Sequence, residues 1–311
     1  MLSALKKEIE LLDAQVYKNI AAIPIKTPID YKFDILTLAK GFELGLVKVK
    51  ECEKSTVNTL VVKNNSISPL LLVDGEEIIG GDQNRIVNST ILVAPQSEMK
   101  VPVNCTEHGR WGYKHEFIHS NYMANSRTRY AKAHSCSKNL DEQSAVWNSI
   151  SELEMSRGFS SPTQAMSESY DNVKTDLADG IDEFKIVDGQ TGVLIIIDGE
   201  IKGFELFFNS EIYGAYHEKI LKSYIIDAEI NDNVFTINTD EARSYIENAI
   251  DSEFVEKKSV GLESPYEFKN DNGLGRVYAY KDEIIHLSYF TQIDDLAQHE
   301  DEGAEGLRVT F

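Results

Sequence analysis

GDQNRIVNSTILVAPQSEMKVPVNCTEHGRW, residues 81–111, is the stretch that decides the fold. Apolar and polar residues alternate on both sides of Pro95-Gln96, which predicts β-strands joined by a turn. Four titratable side chains interrupt the pattern: Arg85, Glu107, His108 and Arg110. Because an unpaired charge inside a core is costly, these residues need ionic partners or a ligand.

The same alternation extends upstream of this stretch. It predicts strands near 47–52, 58–64, 69–74, 77–80, 84–94 and 97–104, with turns at Asp74-Gly75, Gly80-Gly81 and Pro95-Gln96. Closely spaced strands with short turns favour antiparallel sheets in a sandwich or jelly-roll-like arrangement.

Downstream, helical patterns and hairpins replace the run of strands. We expect helices over 141–157, after a cap at Ser210 and over 239–250, with Asn238 as the cap of the last one. We expect hairpins over 193–207, turning at Asp198-Gly199, and over 276–290. The predicted fold class is therefore α+β, with an N-terminal antiparallel β-rich half and a C-terminal α/β half.

Domain boundaries follow from these patterns. Apolar residues spaced by three and four over 4–23 predict an N-terminal helix within 1–27, and a short helix is predicted over 37–46. Residues 28–295 are expected to form a single α+β domain, with the β-rich half over about 28–135 and the helix and hairpin half over about 136–295. An acidic tail covers 296–311.

The net charge of −20, from 31 basic and 51 acidic residues, excludes several classes of function. Such a charge repels nucleic acid and anionic membranes. No apolar run of about 18 residues and no signal-peptide pattern is present, so we expect a cytoplasmic protein without a membrane span. Three scattered cysteines predict neither a disulfide framework nor a zinc site, and no metal site is expected. Cofactor and oligomeric state stay open.

Residues 109–138 depart from this acidity, with six basic residues against Glu116 alone. They lack clear periodicity, so the segment is a long loop or contains a short helix. We predict that residues 112–138 are more mobile than the sheets without ligand. In function, the segment is either a solvated basic loop or an anion site. Under the second alternative, Arg127 and Arg129 are candidate ligand-binding residues that cover the mouth of a pocket.

Arg85 has two possible kinds of partner: the acids Glu76 and Glu77 across a hairpin, or an anionic ligand held by its planar guanidinium. Arg110 could hold an oxyanion in the same way.

Glu107 and His108 could exchange protons near neutral pH, so they are the candidate catalytic residues. Trp111 either packs in the core or stacks on a ligand. His286 lies on a half-buried strand, either as a core residue or as a ligand-binding one. Cys105 is more consistent with a small buried side chain than with a nucleophile.

The central stretch, together with GEEII just upstream, resembles the signature of a bacterial family, the ARG and rhodanese-phosphatase-superfamily-associated protein domain. ARG stands for ADP-ribosylglycohydrolase. The matching residues are Gly75, Glu76, Gln83, Asn84, Arg85, Pro102, Val103, Cys105, Glu107, Gly109, Arg110 and Trp111. Weaker matches extend the resemblance over roughly 35–290.

Two departures from the family pattern concern the site. Gly81-Asp82 stands where Ala-Lys is expected, and His108 stands where Gln is common, which argues against a general proton-transfer role for His108. The family name implies association with ADP-ribose and phosphate chemistry through genomic context. It implies no particular activity.

Two hypotheses about function result. In the first, Gln83, Asn84, Arg85, Glu107 and Arg110 line a pocket for a small phosphate-containing, nucleotide-derived ligand of the ADP-ribose class, which is bound or processed there. In the second, the same residues form a buried structural network within a non-enzymatic regulatory or interaction module, whose acidic surface binds a basic partner. An open concavity at Arg85 and Arg110 would favour the first hypothesis, and closed ion pairs the second.

Overall fold

Three β-sheets and a set of helices make up the computed structural model, which describes residues 6, 8–27, 34–52 and 56–293. The strands are β1 (Glu10–Leu11), β2 (Gln15–Tyr17), β3 (Ile20–Lys26), β4 (Leu36–Thr37), β5 (Val47–Glu51), β6 (Thr59–Asn64), β7 (Leu70–Leu72), β8 (Glu76–Ile79), β9 (Arg85–Val87), β10 (Ile91–Val93), β11 (Ser97–Cys105), β12 (Ile118–Met123), β13 (Gly192–Ile197), β14 (Glu200–Phe207), β15 (Phe254–Glu256), β16 (Ser264–Asn270), β17 (Gly273–Tyr280) and β18 (Glu283–Thr291). The helices are α1 (Leu38–Glu43), α2 (Ser126–Ser137), α3 (Glu142–Ser156), α4 (Met166–Asn172), α5 (Lys174–Glu183), α6 (Ser210–Ile225) and α7 (Thr239–Ile250).

The β-rich half agrees with the sequence prediction. A six-stranded sheet in the order β12-β8-β9-β11-β6-β5 faces a three-stranded sheet, β10-β7-β4. Apolar residues of both sheets, such as Val62, Val103 and Leu72, share one buried cluster. The predicted strand 84–94 is divided, because β9 pairs in the larger sheet and β10 in the smaller one. All pairings except that of β4 with β7 are antiparallel.

The prediction of an N-terminal helix is wrong for the described residues. The chain instead forms β1, β2 and β3, and β3 joins a nine-stranded sheet by pairing with β13. Ile20 and Ala22 pack into the core on one face of this sheet, and Ala21 and Ile23 into the core on the other face. A strand buried on both faces shows no polar alternation, so its apolar residues also fitted a helical spacing.

The basic segment contains a strand and a helix, so of its two predicted forms, a long loop or a segment with a short helix, the second is the nearer one. Residues 118–123 form β12 at the edge of the six-stranded sheet, and residues 126–137 form α2. Helix α2 buries Arg129 and Lys132 completely. Its mixture of small, basic and aromatic residues has no apolar stripe, which is why periodicity did not predict it.

The C-terminal half confirms the predicted helices and hairpins as α3, α6, α7, β13–β14 and β17–β18. The cap of α6 is Asn209 rather than Ser210, because the Asn209 side chain accepts a hydrogen bond from the Ile212 amide at 2.8 Å. Helices α4 and α5 and strands β15 and β16 were not predicted. The expected acidic tail, 296–311, lies outside the described residues. None of the helices in the described part of the chain has the length and apolar character needed to cross a bilayer.

Candidate functional site

Arg110 forms hydrogen bonds across the signature stretch, the name that we give to residues 75–111. Its guanidinium donates to the Glu107 carboxylate at 2.6 Å, to the Asn84 side-chain oxygen at 3.2 Å, and to the main-chain oxygens of Gly81 and Gly112 at 2.8 and 2.9 Å. These acceptors belong to two loops, one between β8 and β9 and one after β11. Arg110 therefore ties the two loops together.

Glu107 completes this closed arrangement. Its carboxylate also accepts hydrogen bonds from the Asn84 amide at 3.2 Å and from the Thr163 hydroxyl at 3.1 Å. Burial favours the neutral form of Glu107, but the hydrogen bond and charge of Arg110 outweigh it and lower the pKa of the carboxyl. The predicted ionised state is thus supported. Two arginines were expected as cationic partners, and within the described part of the chain Arg110 is the one that forms an ion pair with Glu107.

Arg85 does not pair with Glu76 or Glu77, so that prediction is wrong. It donates to the main-chain oxygens of Val57 and Asn84 at 3.1 and 3.2 Å, and its ion pair, with Glu51, is long at 3.9 Å. Glu51 lies on β5, 34 positions earlier, so local sequence gave no indication of it.

Glu76 and Glu77 point to other partners. Glu76 accepts from Lys219 of α6 at 2.7 Å and from Tyr216 at 3.1 Å. Glu77 accepts from the hydroxyls of Ser120 and Thr106, and burial raises the pKa of its carboxyl to about 7. Glu76, which was predicted to bind a ligand, thus has both carboxylate oxygens engaged by residues of α6.

The two predicted catalytic residues do not form a pair. His108 is exposed and its ring meets Trp147 edge-on, with centroids 4.4 Å apart, and no described hydrogen bond joins it to Glu107. Gln83 donates to the Glu107 main-chain oxygen at 2.9 Å, which fixes the backbone rather than a reacting group. Cys105 is buried, and burial raises the pKa of its thiol, which disfavours the thiolate.

Trp111 lies at the surface, so core packing, one of its two predicted roles, is wrong, and stacking on a ligand stays a prediction. Trp111 and Tyr113 are each 68% exposed, and Lys114 beside them is exposed too. The loop that carries them is held by Arg110 and by the hydrogen bond from the Gly109 amide to the Thr163 oxygen at 2.8 Å. The buried polar residues thus support a loop that displays two aromatic side chains.

Arg129 and His286, both predicted to bind a ligand, belong instead to a buried charge network. Arg129 donates to both Glu205 oxygens at 2.6 and 3.0 Å. His286 lies between Glu205, 3.4 Å away, and the Thr90 hydroxyl, 2.8 Å away. Burial lowers the pKa of His286 despite the Glu205 charge, whereas Arg129 outweighs burial and lowers the pKa of Glu205 to about 2.

Lys132 and Asp74 extend this network toward the β-rich half. Lys132 donates to Asp74 and to the main-chain oxygens of Val87 and Asn88, at 3.2 and 2.7 Å. All these charges are removed from water, so each depends on the others for its stability. The network joins α2 to β9 and to strands β14 and β18 of the large sheet.

An open cleft lies elsewhere, between the first turn of α2, the β13–β14 turn and the end of β18. Its volume is about 1200 Å³. Seven carboxylates and two basic side chains line it: Glu152, Asp198, Glu200, Asp227, Glu229, Glu241 and Asp271 against Arg127 and Lys202. Arg127, a predicted ligand-binding residue, thus lies in a cleft, and it pairs with Glu152 at 3.1 Å. No residue of 75–111 lines this cleft.

Sequence reasoning missed the cleft because its walls come from seven separate regions of the chain. Parts of three walls could be located from sequence. Asp198-Gly199 and Asp271-Asn272 form two-residue hairpin turns, and Asp227 follows the end of α6. Asp227 accepts from Ser126 and from the Arg127 amide at 2.7 and 3.1 Å, and so caps α2 from another element. Among the described residues, no group of three or more His, Cys, Asp or Glu is placed to hold a metal.

Comparison with known families confirms the resemblance. The chain belongs to the ARG and rhodanese-phosphatase-superfamily-associated protein domain family, whose model matches residues 8–290. The family's name associates it with ADP-ribosylglycohydrolases and with the rhodanese-phosphatase superfamily. No curated protein and no solved structure matches the chain significantly.

Proposed function

We propose that this chain is a non-enzymatic binding module and that its acidic cleft receives a positively charged segment of a partner protein. The observation that carries this proposal is the lining of the cleft, where the formal charges of seven carboxylates and two basic side chains sum to −5. Carboxylates on low-dielectric walls concentrate the field, which attracts cations and steers their approach.

The hydrogen bonds within the signature stretch argue against catalysis by its residues. Glu107 and Arg110 form a 2.6 Å ion pair. Gln83 donates to the Glu107 main-chain oxygen, and the Asn84 amide donates to the Glu107 carboxylate. A general acid or base must reach the proton that it transfers. Here the carboxylate is satisfied by Arg110, Asn84 and Thr163, so it serves as a clamp.

The cleft also offers surface that suits a polypeptide. Three aromatic residues line it: Tyr245 is half-buried, whereas Tyr130 and Phe290 are almost fully buried. Lysine and arginine side chains bury their aliphatic stems against apolar surface and keep their charged ends near acids. Cations also interact favourably with aromatic faces. A lysine- or arginine-containing segment therefore fits this combination of charge and rings.

A second candidate is the binding of a nucleotide-derived ligand at the aromatic loop of residues 108–115. Trp111 and Tyr113 are open to stacking, and Lys114 beside them could meet a phosphate. The family's name supports this ligand class. The carboxylates of the cleft would repel such an anion, so the loop rather than the cleft is its candidate site.

Titration calorimetry separates the two candidates. We expect a lysine-rich peptide to bind the full chain with an affinity that falls as salt rises, because screening weakens the attraction. We expect a peptide of the same length with glutamine at each lysine to show no heat of binding. Binding of ADP-ribose without binding of the lysine-rich peptide would reject the cleft proposal. If Trp111→Ala then lost the binding of ADP-ribose, the aromatic loop would be the binding site instead.

A further inference from the structure

One face of the six-stranded sheet carries a group of lysines that is unusual for so acidic a chain. Lys48 and Lys50 of β5, Lys63 of β6 and Lys100 of β11 are all exposed on neighbouring strands. Lys48, Lys50 and Lys63 alternate with buried residues, so they share the outer face. We call these four residues the lysine face.

The register of the strands places like charges directly against each other. Lys48 lies opposite Lys63 in the β5–β6 pairing. Like charges in directly opposed positions destabilise a sheet. Among the described residues, Glu98 is the one acid that meets the lysine face. It lies opposite Lys63 in the β6–β11 pairing and 3.6 Å from the Lys50 ammonium group, so one negative charge stands against four lysines. The lysine face therefore retains a positive charge that an anionic partner would neutralise.

The chemistry of the lysine face limits the kind of partner. It offers ammonium groups without an arginine fork, which suits dispersed carboxylates better than a single phosphate. No Trp, Tyr or Phe lies on the β5, β6 and β11 strands that form it, so bases have nothing to stack on. The total charge of −20 also opposes nucleic acid and anionic lipid. A protein surface rich in carboxylates fits best.

We infer that this partner is a second copy of the same chain, whose acidic cleft receives the lysine face. The inference rests on the proposed function of the cleft and names the partner of that site. The cleft supplies separated carboxylates, among them Asp198, Glu200 and Asp271, which are exposed. Long lysine side chains can reach into an open cleft from the surface of a sheet. Because the lysine face and the cleft are different surfaces, the contact is head-to-tail.

Sedimentation velocity of the full chain over a range of concentrations tests this inference. We expect concentration-dependent association at low salt that disappears at 1 M salt, where the screening length falls to about 3 Å. Lys48→Glu combined with Lys63→Glu should abolish it, as should Glu200→Lys combined with Asp271→Lys. A mixture of the two double variants should associate again, because the charges are exchanged. Lys185→Glu, on an exposed lysine away from the lysine face, should associate like the wild type.

Several outcomes would overturn the inference. A chain that stays monomeric at every concentration contradicts it, as does association that survives the double change in the lysine face. Lys48→Gln with Lys63→Gln provides a milder variant should the charge reversals perturb folding. Binding of the lysine-rich peptide to a chain that never associates would reject self-association and leave the proposed function standing. A chain that neither associates nor binds the lysine-rich peptide would reject both the self-association and the proposed function.

Discussion

At the scale of single residues, the polar side chains of the signature stretch act mainly on one another. Arg110 satisfies acceptors in two loops, and Glu107 supplies its counter-charge. The sequence predicted that Glu107 and Arg110 lie close together, since they are three residues apart at a turn. It did not predict the partner of Arg85, because Glu51 becomes a neighbour only when β5 and β9 enter the same sheet.

Glu107→Gln tests the clamp. Glutamine keeps the shape but removes the charge facing Arg110, so we expect the free energy of unfolding to drop by roughly 3 kcal/mol, as for a broken buried pair. Chemical denaturation measures this loss. The exposed neighbour Glu116→Gln is the control and should change stability by less than about 0.5 kcal/mol. Equal stabilities of the two variants would show that Glu107 is not a clamp.

Glu77 makes a pH-dependent contribution to the free energy of unfolding. Its folded pKa of about 7 lies above the ordinary value of 4.5, so the native state holds a proton that the unfolded chain has lost. Its favourable contribution is therefore fully present below pH 4.5 and is lost as the pH rises through 7. Relative to Glu77→Gln, the wild type should lose roughly 3 kcal/mol across this window, at about 1.4 kcal/mol per unit. Denaturation curves that run parallel for the two proteins would contradict this assignment.

At the scale of elements, α2 connects the two halves of the molecule through buried charge. Its Arg129 and Lys132 meet Glu205 of β14 and Asp74, which precedes β8. Those partners lie 76 and 58 positions away, so local sequence could not show that the basic segment is core. The strands and later helices were predictable because their apolar periodicity is local, whereas β3, buried on both faces, has no polar alternation.

Lys132→Met should strongly destabilise the fold. It removes the nearest cation from the buried Asp74 carboxylate and leaves Arg129 as the remaining one, at 3.9 Å. Breaking a buried pair costs about 3–5 kcal/mol. Thermal or chemical denaturation would show the loss. Lys174→Met, at an exposed position on α5, is the matched control and should leave stability within about 0.5 kcal/mol of the wild type. A wild-type stability for Lys132→Met would mean that the network contributes nothing.

Amide hydrogen exchange separates two parts of the basic segment. Residues 126–137 form a buried helix, so their amides should exchange as slowly as those of β11. Residues 108–115 are largely exposed and should exchange faster. Uniformly fast exchange across 108–137 would instead restore the expectation of a mobile basic loop.

At the scale of the whole molecule, the charged residues fall into two groups. One group stabilises the fold, and the other faces solvent and is available for binding. The signature stretch and α2 use their cations internally, while the cleft and the lysine face present opposite charges to solvent. The net charge of −20 indicated an acidic surface, and the sequence therefore supported a basic partner. It could not locate the cleft, whose walls are assembled from distant segments.

The most direct test of this account is the affinity of the lysine-rich peptide, measured by calorimetry for two variants. Glu200→Gln with Asp271→Asn removes two charges from the cleft, and Arg110→Lys alters the signature stretch. The account predicts that the cleft variant binds roughly tenfold more weakly, equivalent to about 1.4 kcal/mol, while Arg110→Lys binds like the wild type although it is less stable. Unchanged affinity in the cleft variant with lost affinity in Arg110→Lys would contradict the account and place the binding site at the signature stretch.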